Sequence, residues 1–182
     1  SIGCHGRGFM RGDNPINKII DIAAGEYFSI ALAEDGTVYT WGRNHRGQLG
    51  DSTDTERHIP IKVLKGEYTG TTYLGEDQNN KIIKVSLGHS HSIALAEDGT
   101  VYNWGRNTDG QLGNNTITHS WVPIRVLTGD YNGINYLGDS PNNKVITIAG
   151  GSFFSTAVVE DGTVYNWGQN LTGQIGDSTE VN

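Results

Sequence analysis

Three pairs of adjacent carboxylates, Glu34-Asp35, Glu97-Asp98 and Glu160-Asp161, are the first residues whose types suit acid–base chemistry. Two histidines separated by one residue, His89 and His91, would lie on one face of a strand and offer two imidazoles to a metal ion. Acidic loops over residues 51–56, 76–80 and 139–143 present oxygens of the kind calcium takes. Each has a simpler reading. The carboxylate pairs recur at the same place in three copies of a repeat, each just before a glycine, where Asp builds a turn by bonding nearby backbone. The counterparts of His89 and His91 are Glu26 and Phe28 in one copy and Ser152 and Phe154 in the other, so His91 stands where the other copies have a packing residue. The acidic loops lack the regular Asp spacing and closing bidentate Glu of a calcium loop. No nucleophile and base escape the repetition as a pair. The sequence therefore assigns no catalytic residue, cofactor or metal ligand, and the chain reads as a non-enzyme.

The elements that position these residues follow from the repeat. Residues 31–50 read ALAEDGTVYTWGRNHRGQLG, residues 94–113 ALAEDGTVYNWGRNTDGQLG and residues 157–176 AVVEDGTVYNWGQNLTGQIG. Trp41, Trp104 and Trp167 recur every 63 residues, and Gly12, Gly75 and Gly138 keep the same interval. The units are residues 1–63, 64–126 and 127–182, the last incomplete. Ile- and Val-rich runs predict first strands over residues 18–23, 81–87 and 144–149, and second strands over 27–33, 91–96 and 153–159. Glu-Asp-Gly then predicts a hairpin, with Gly36 in the left-handed position, leading into a third strand over 38–42. Fourth strands are expected over 59–64 and 122–127, with Pro60 and Pro123 at their starts or on an edge. The third unit ends short of the positions that correspond to Arg57–Val63, so its fourth strand is expected to be missing. The second strand is apolar on both faces, with Ile30 and Leu32 on one and Ala31 and Ala33 on the other. A strand buried on both sides implies sheets stacked face to face. The fold class expected is all-β, a β-propeller of four-stranded antiparallel blades.

The stretch HSIALAEDGTVYNWGRNTDGQLG at residues 91–113, with its two neighbours, resembles the repeat of the regulator of chromosome condensation family. The first and third units depart from that pattern with Phe28 and Phe154 in place of His, and the third with Gln169 and Ile175 in place of Arg and Leu. The resemblance covers nearly the whole chain and implies a ring of about seven blades used as a protein-interaction platform. About three blades are present here, as part of a six- or seven-bladed ring. Further blades would come from the same longer chain or from a second copy. The family's founding member activates a small GTPase by nucleotide exchange, and a similar propeller inhibits a β-lactamase, so exchange factor and enzyme inhibitor stand as alternatives. The repeats here are longer than the family's usual ones, through residues 66–81 and 129–144.

Composition narrows the partner. The net charge of −7 argues against tracking a nucleic-acid backbone, and Arg7 to Arg11 is the nearest approach to a basic run. No apolar run reaches the length of a membrane span and no signal-peptide pattern opens the chain. The single cysteine, Cys4, permits no intrachain disulfide. A residue type present in every unit is needed to build every blade, so binding residues should lie where the units differ. His45-Arg46 becomes Thr108-Asp109 in the second unit, Arg57 becomes Ser120, and Trp121 replaces His58. The long segments add Tyr68, Tyr73, Tyr131 and Tyr136. Aromatic and arginine side chains carry much of the energy at interfaces, so these ten residues are the expected contacts for a protein partner.

Overall fold

The computed structural model describes residues 18–68, 71–129, 135–140 and 143–180. Cys4, Gly12, the Arg7–Arg11 stretch and Tyr131 lie outside the described residues. The first sheet holds β1 (Ile19–Ala24), β2 (Phe28–Ala33), β3 (Val38–Gly42) and β4 (Arg57–Lys62), antiparallel and in that order. The second repeats it with β5 (Ile82–Leu87), β6 (His91–Ala96), β7 (Val101–Gly105) and β8 (Ser120–Arg125). The third has three strands among the described residues, β9 (Val145–Gly150), β10 (Phe154–Val159) and β11 (Val164–Gly168), with β10 in the middle.

Turn chemistry sets the hairpins. The Asp35 carboxylate accepts the Thr37 N–H at 2.9 Å, and Asp98 and Asp161 treat Thr100 and Thr163 alike at 2.9 and 2.8 Å. Gly36 follows at φ +94°, conformational territory that a Cβ makes costly. The aspartate of each carboxylate pair thus bonds turn backbone, the role its repetition implied.

The fourth strands begin two residues earlier than expected, at Arg57 and Ser120. The prolines explain the difference. Thr40 pairs with Ile61 and Gly42 with Arg57, so His58, Ile59 and Pro60 together face the single residue Trp41. Pro60 occupies a bulge on an edge strand, where a missing N–H costs no ladder bond. Trp121, Val122 and Pro123 face Trp104 in the same way.

The sheets stack on their broad faces, with β5 against β1 and β2 and β9 against β5 and β6. Strand β6 serves two cores. Ala94 and Ala96 join the cluster that contains Ile30, Leu32 and Leu87, while Ile93 and Leu95 join the one that contains Val145, Ile148 and Ala157. Every residue of β6 is buried, whereas β10, with no described blade beyond it, alternates between buried and half-buried. Small residues toward one neighbour and large ones toward the other let adjacent blades interlock at crystal-like density.

Candidate functional site

The repeated polar residues are absorbed by the framework. The Gln48 carbonyl accepts the Ser92 hydroxyl at 2.8 Å and the Trp104 Nε1–H at 2.9 Å, both from the next blade. The Gln111 carbonyl takes Ser155 and Trp167 identically, at 2.9 and 3.0 Å. Leu49 and Leu112 beside them are fully buried. The asparagine of each Trp-Gly-x-Asn element ties the following loop: Asn44 accepts the Leu49 N–H at 3.0 Å and donates to the Thr53 and Thr55 carbonyls at 2.9 and 3.1 Å. Among the described residues no group of three or more His, Cys, Asp or Glu side chains converges as a metal site.

His91 is fully buried, and its Nε2 lies 3.0 Å from the Ser155 hydroxyl of the third blade. Its bond thus spans blades instead of being local, and its Nδ1 has no partner. Burial, with the nearby charges of Arg106 and His89, pushes its pKa down to about 4. The unfolded chain therefore takes up a proton that the native state refuses. Stability from this residue is complete above about pH 6.5 and is lost as the pH falls toward 4, at up to ~1.4 kcal/mol per pH unit. Phe28 and Phe154 show that a phenyl ring fits this position over its glycine. His91→Phe should flatten the stability profile between those pH values and raise stability near neutrality by ~1 kcal/mol, through removal of an unsatisfied buried nitrogen. Urea midpoints measured across that range check both.

His89 packs differently. Its Nε2 contacts the Glu26 carboxylate of the first blade at 2.6 Å, and its ring lies 5.1 Å from that of Phe153 in the third.

The antiparallel order separates the non-repeating residues into two groups. One end of every sheet carries the first turns (residues 25–27, 88–90 and 151–153) and the long loops over 43–56 and 106–119. The opposite end carries the Glu-Asp-Gly hairpins and the connections between sheets. His45, Arg46, Arg57, Thr108, Asp109 and Trp121 belong to the first end; Tyr68, Tyr73 and Tyr136 belong to the second. The nine expected contacts among the described residues therefore do not form one surface.

At the hairpin end the tyrosines hold their own connections. Tyr68, expected as a contact, is only 2% exposed. Its hydroxyl donates to the Asn80 carbonyl at 2.6 Å and accepts the Asp77 N–H at 3.2 Å, and its ring meets Tyr102 edge-on at 5.7 Å. Burial raises its pKa to about 12. Lys62 sits over Tyr73 and Arg125 over Tyr136, at 5.2 and 3.8 Å from the ring centroids. Glu67, next to Tyr68, donates its N–H to the Pro123 carbonyl and accepts the Arg125 N–H. The long connection thus covers the exposed edge of β8.

At the loop end, Arg57 is also spoken for. It bonds Asp51 at 2.6 Å, across a loop in which Thr53 and Asn44 bond the same carboxylate. Burial alone would raise the Asp51 pKa, but the bonds from Thr53, Arg57 and Asn44 bring it below the ordinary value. Thr108 and Asp109 bond Arg106, and Asp109 also accepts from Gln169 of the third blade at 3.3 Å. His45 pairs with Glu56 at 3.2 Å in the open.

Arg46 and Trp121 are brought together from adjacent blades. Gly47 packs directly on the Trp121 backbone, and the Ser52 N–H donates to the Trp121 carbonyl at 3.0 Å. Trp121, in the bulge of β8, is 37% exposed, and its ring lies 6.2 Å from that of His119. The Arg46 guanidinium reaches His119 Nε2 at 3.4 Å. Among the described residues no carboxylate pairs with Arg46. His119 was not among the expected contacts, although its counterpart is Glu56 and the rule that selected Arg46 selects it too.

The model of the regulator of chromosome condensation (RCC1) repeat matches residues 35–95 and 98–158, and a second model of that repeat matches 19–48, 82–111 and 145–174. The human E3 ubiquitin-protein ligase HERC2 is 34% identical over 167 residues, which is 90% of this chain and 3% of that protein. Human WBSCR16 superposes with a TM-score of 0.70 at 23% identity, over 91% of this chain and 38% of that one. Prp20p from Saccharomyces cerevisiae, whose structure was described with its binding to Gsp1p and histones, superposes with a TM-score of 0.67 at 27% identity, over 89% of this chain and 35% of that one.

Proposed function

This chain belongs to the regulator of chromosome condensation repeat family, and from that premise we propose that it is a non-catalytic module whose loop end binds another protein. One observation carries the reading. Residues common to the units are spent on turns and blade contacts, whereas non-repeating Arg46, His119 and Trp121 converge across a blade junction and stay accessible. A partly exposed indole beside an arginine has the composition of an interface hot spot. Yeast Prp20p, which shares the fold, is described as a binder of proteins, in keeping with a protein ligand.

Affinity capture with matched variants tests this. Trp121→Ala and Arg46→Glu should each weaken retention of the principal protein partner by about 30-fold, the effect of losing a ~2 kcal/mol hot spot. Glu160→Gln, on the hairpin end, should leave retention unchanged. Equal retention by all three variants would move the docking face elsewhere.

A further inference from the structure

The Arg46–His119 contact is a meeting of donors. His119 Nδ1 lies 3.0 Å from the backbone N of Asn107, and an N–H can only donate, so that nitrogen accepts. A neutral imidazole has one acceptor nitrogen, which leaves Nε2 carrying the hydrogen. The guanidinium 3.4 Å away has no acceptor to offer either. Burial, with the charges of Arg46 and Arg106, lowers the His119 pKa and so favours the neutral ring that the Nδ1 bond requires. Two sets of N–H groups thus converge on one point from adjacent blades with no acceptor between them. Trp121 provides an apolar wall beside that point.

Resting on the loop end as the docking face, we infer that this notch receives a carboxylate side chain, Asp or Glu, from an extended acidic segment of the partner. One carboxylate oxygen takes the Arg46 guanidinium and the other the His119 Nε2–H, and a neighbouring apolar side chain of the segment lies on Trp121. Donor number selects the carboxylate over a phosphorylated residue. The notch offers two donor groups, the Arg46 guanidinium and the His119 Nε2–H, which the two oxygens of a carboxylate match and the three free oxygens of a phosphate ester exceed. The Arg106 guanidinium does not add to it, being turned to Asp109 at 3.3 Å and to the Phe153 ring at 4.4 Å.

The test uses capped hexapeptides with alternating glutamate and leucine, a glutamine analogue and a phosphoserine analogue, titrated into the isotopically labelled full chain. The Glu peptide should shift the Arg46 Nε–H, His119 imidazole and Trp121 indole resonances together and saturably at millimolar concentration. The Gln analogue should not, and Arg46→Gln should abolish the response without disturbing the rest of the spectrum. Equal shifts with the Gln analogue, no saturable shift with the Glu peptide, or about tenfold tighter binding of the phosphopeptide would each overturn the carboxylate assignment. The two readings fail separately. Loss of captured partner in Trp121→Ala but not in Arg46→Gln keeps the docking face and removes the carboxylate, whereas no loss in either removes the face.

Discussion

Trp104→Ala is expected to lower the unfolding free energy by ~3–5 kcal/mol. The indole is fully buried within the core shared by the first two blades, and its Nε1–H donates to the Gln48 carbonyl at 2.9 Å. Gly50 has no side chain because the indole occupies that space: a Cβ there would stand 2.8 Å from Nε1. Alanine would leave a cavity at a blade junction with glycine on its far wall, and backbone cannot collapse into it cheaply. The other two repeats supply controls at the same position. Trp167 makes the equivalent bond to Gln111 but is only half-buried, so its truncation costs less. Trp41 is half-buried, with no described blade ahead of it to offer a carbonyl, and is expected to cost least. Trp104→Phe keeps most of the apolar area and loses the hydrogen bond, for ~1–2 kcal/mol. Urea denaturation followed by far-ultraviolet circular dichroism gives the order. Equal losses at all three tryptophans would mean that the blades do not stack as described.

Gly75→Ala is the second large effect, expected at ~3 kcal/mol or more, whereas Gly162→Ala should cost only ~1–2 kcal/mol. Both glycines have positive φ, +82° and +89°, so the conformational penalty is shared. Their surroundings differ. A Cβ on Gly75 would overlap the carbonyl of Gly36, backbone against backbone, where the connection between blades crosses the first hairpin. Nothing lies within 4 Å of a Cβ on Gly162. The difference between the two variants thus isolates the connection's contact with the hairpin. Measured midpoints that agree within error would show that this contact carries no weight.

Much of the fold was legible because a repeat states the same local problem three times. Glu-Asp-Gly solves a turn through bonds between residues two apart, and those bonds form whatever the blades do. The two-faced strand was legible because an apolar residue on each side leaves no face for water. The start of β4 was not, because a proline at a strand entry and a proline in a bulge look alike until the partner strand is in place. Tyr68 misled for a similar reason. Its value as a contact depended on exposure, and Tyr102, which covers it, lies 34 residues away.

The period, the strands, the hairpin turns and the need for stacked sheets follow from the residue order alone. All of these rest on short-range bonds or on apolar surface that must be hidden somewhere. Which of the differing residues meet depends on how the sheets are arranged in space. Antiparallel strand order sent the tyrosines to one end and Arg46 and Trp121 to the other. The packing of neighbouring blades then carried Arg46 to His119, 73 positions further along the chain. Sequence spacing holds no record of that packing, because it arises from how two whole sheets settle against each other, through many weak contacts summed across a broad face.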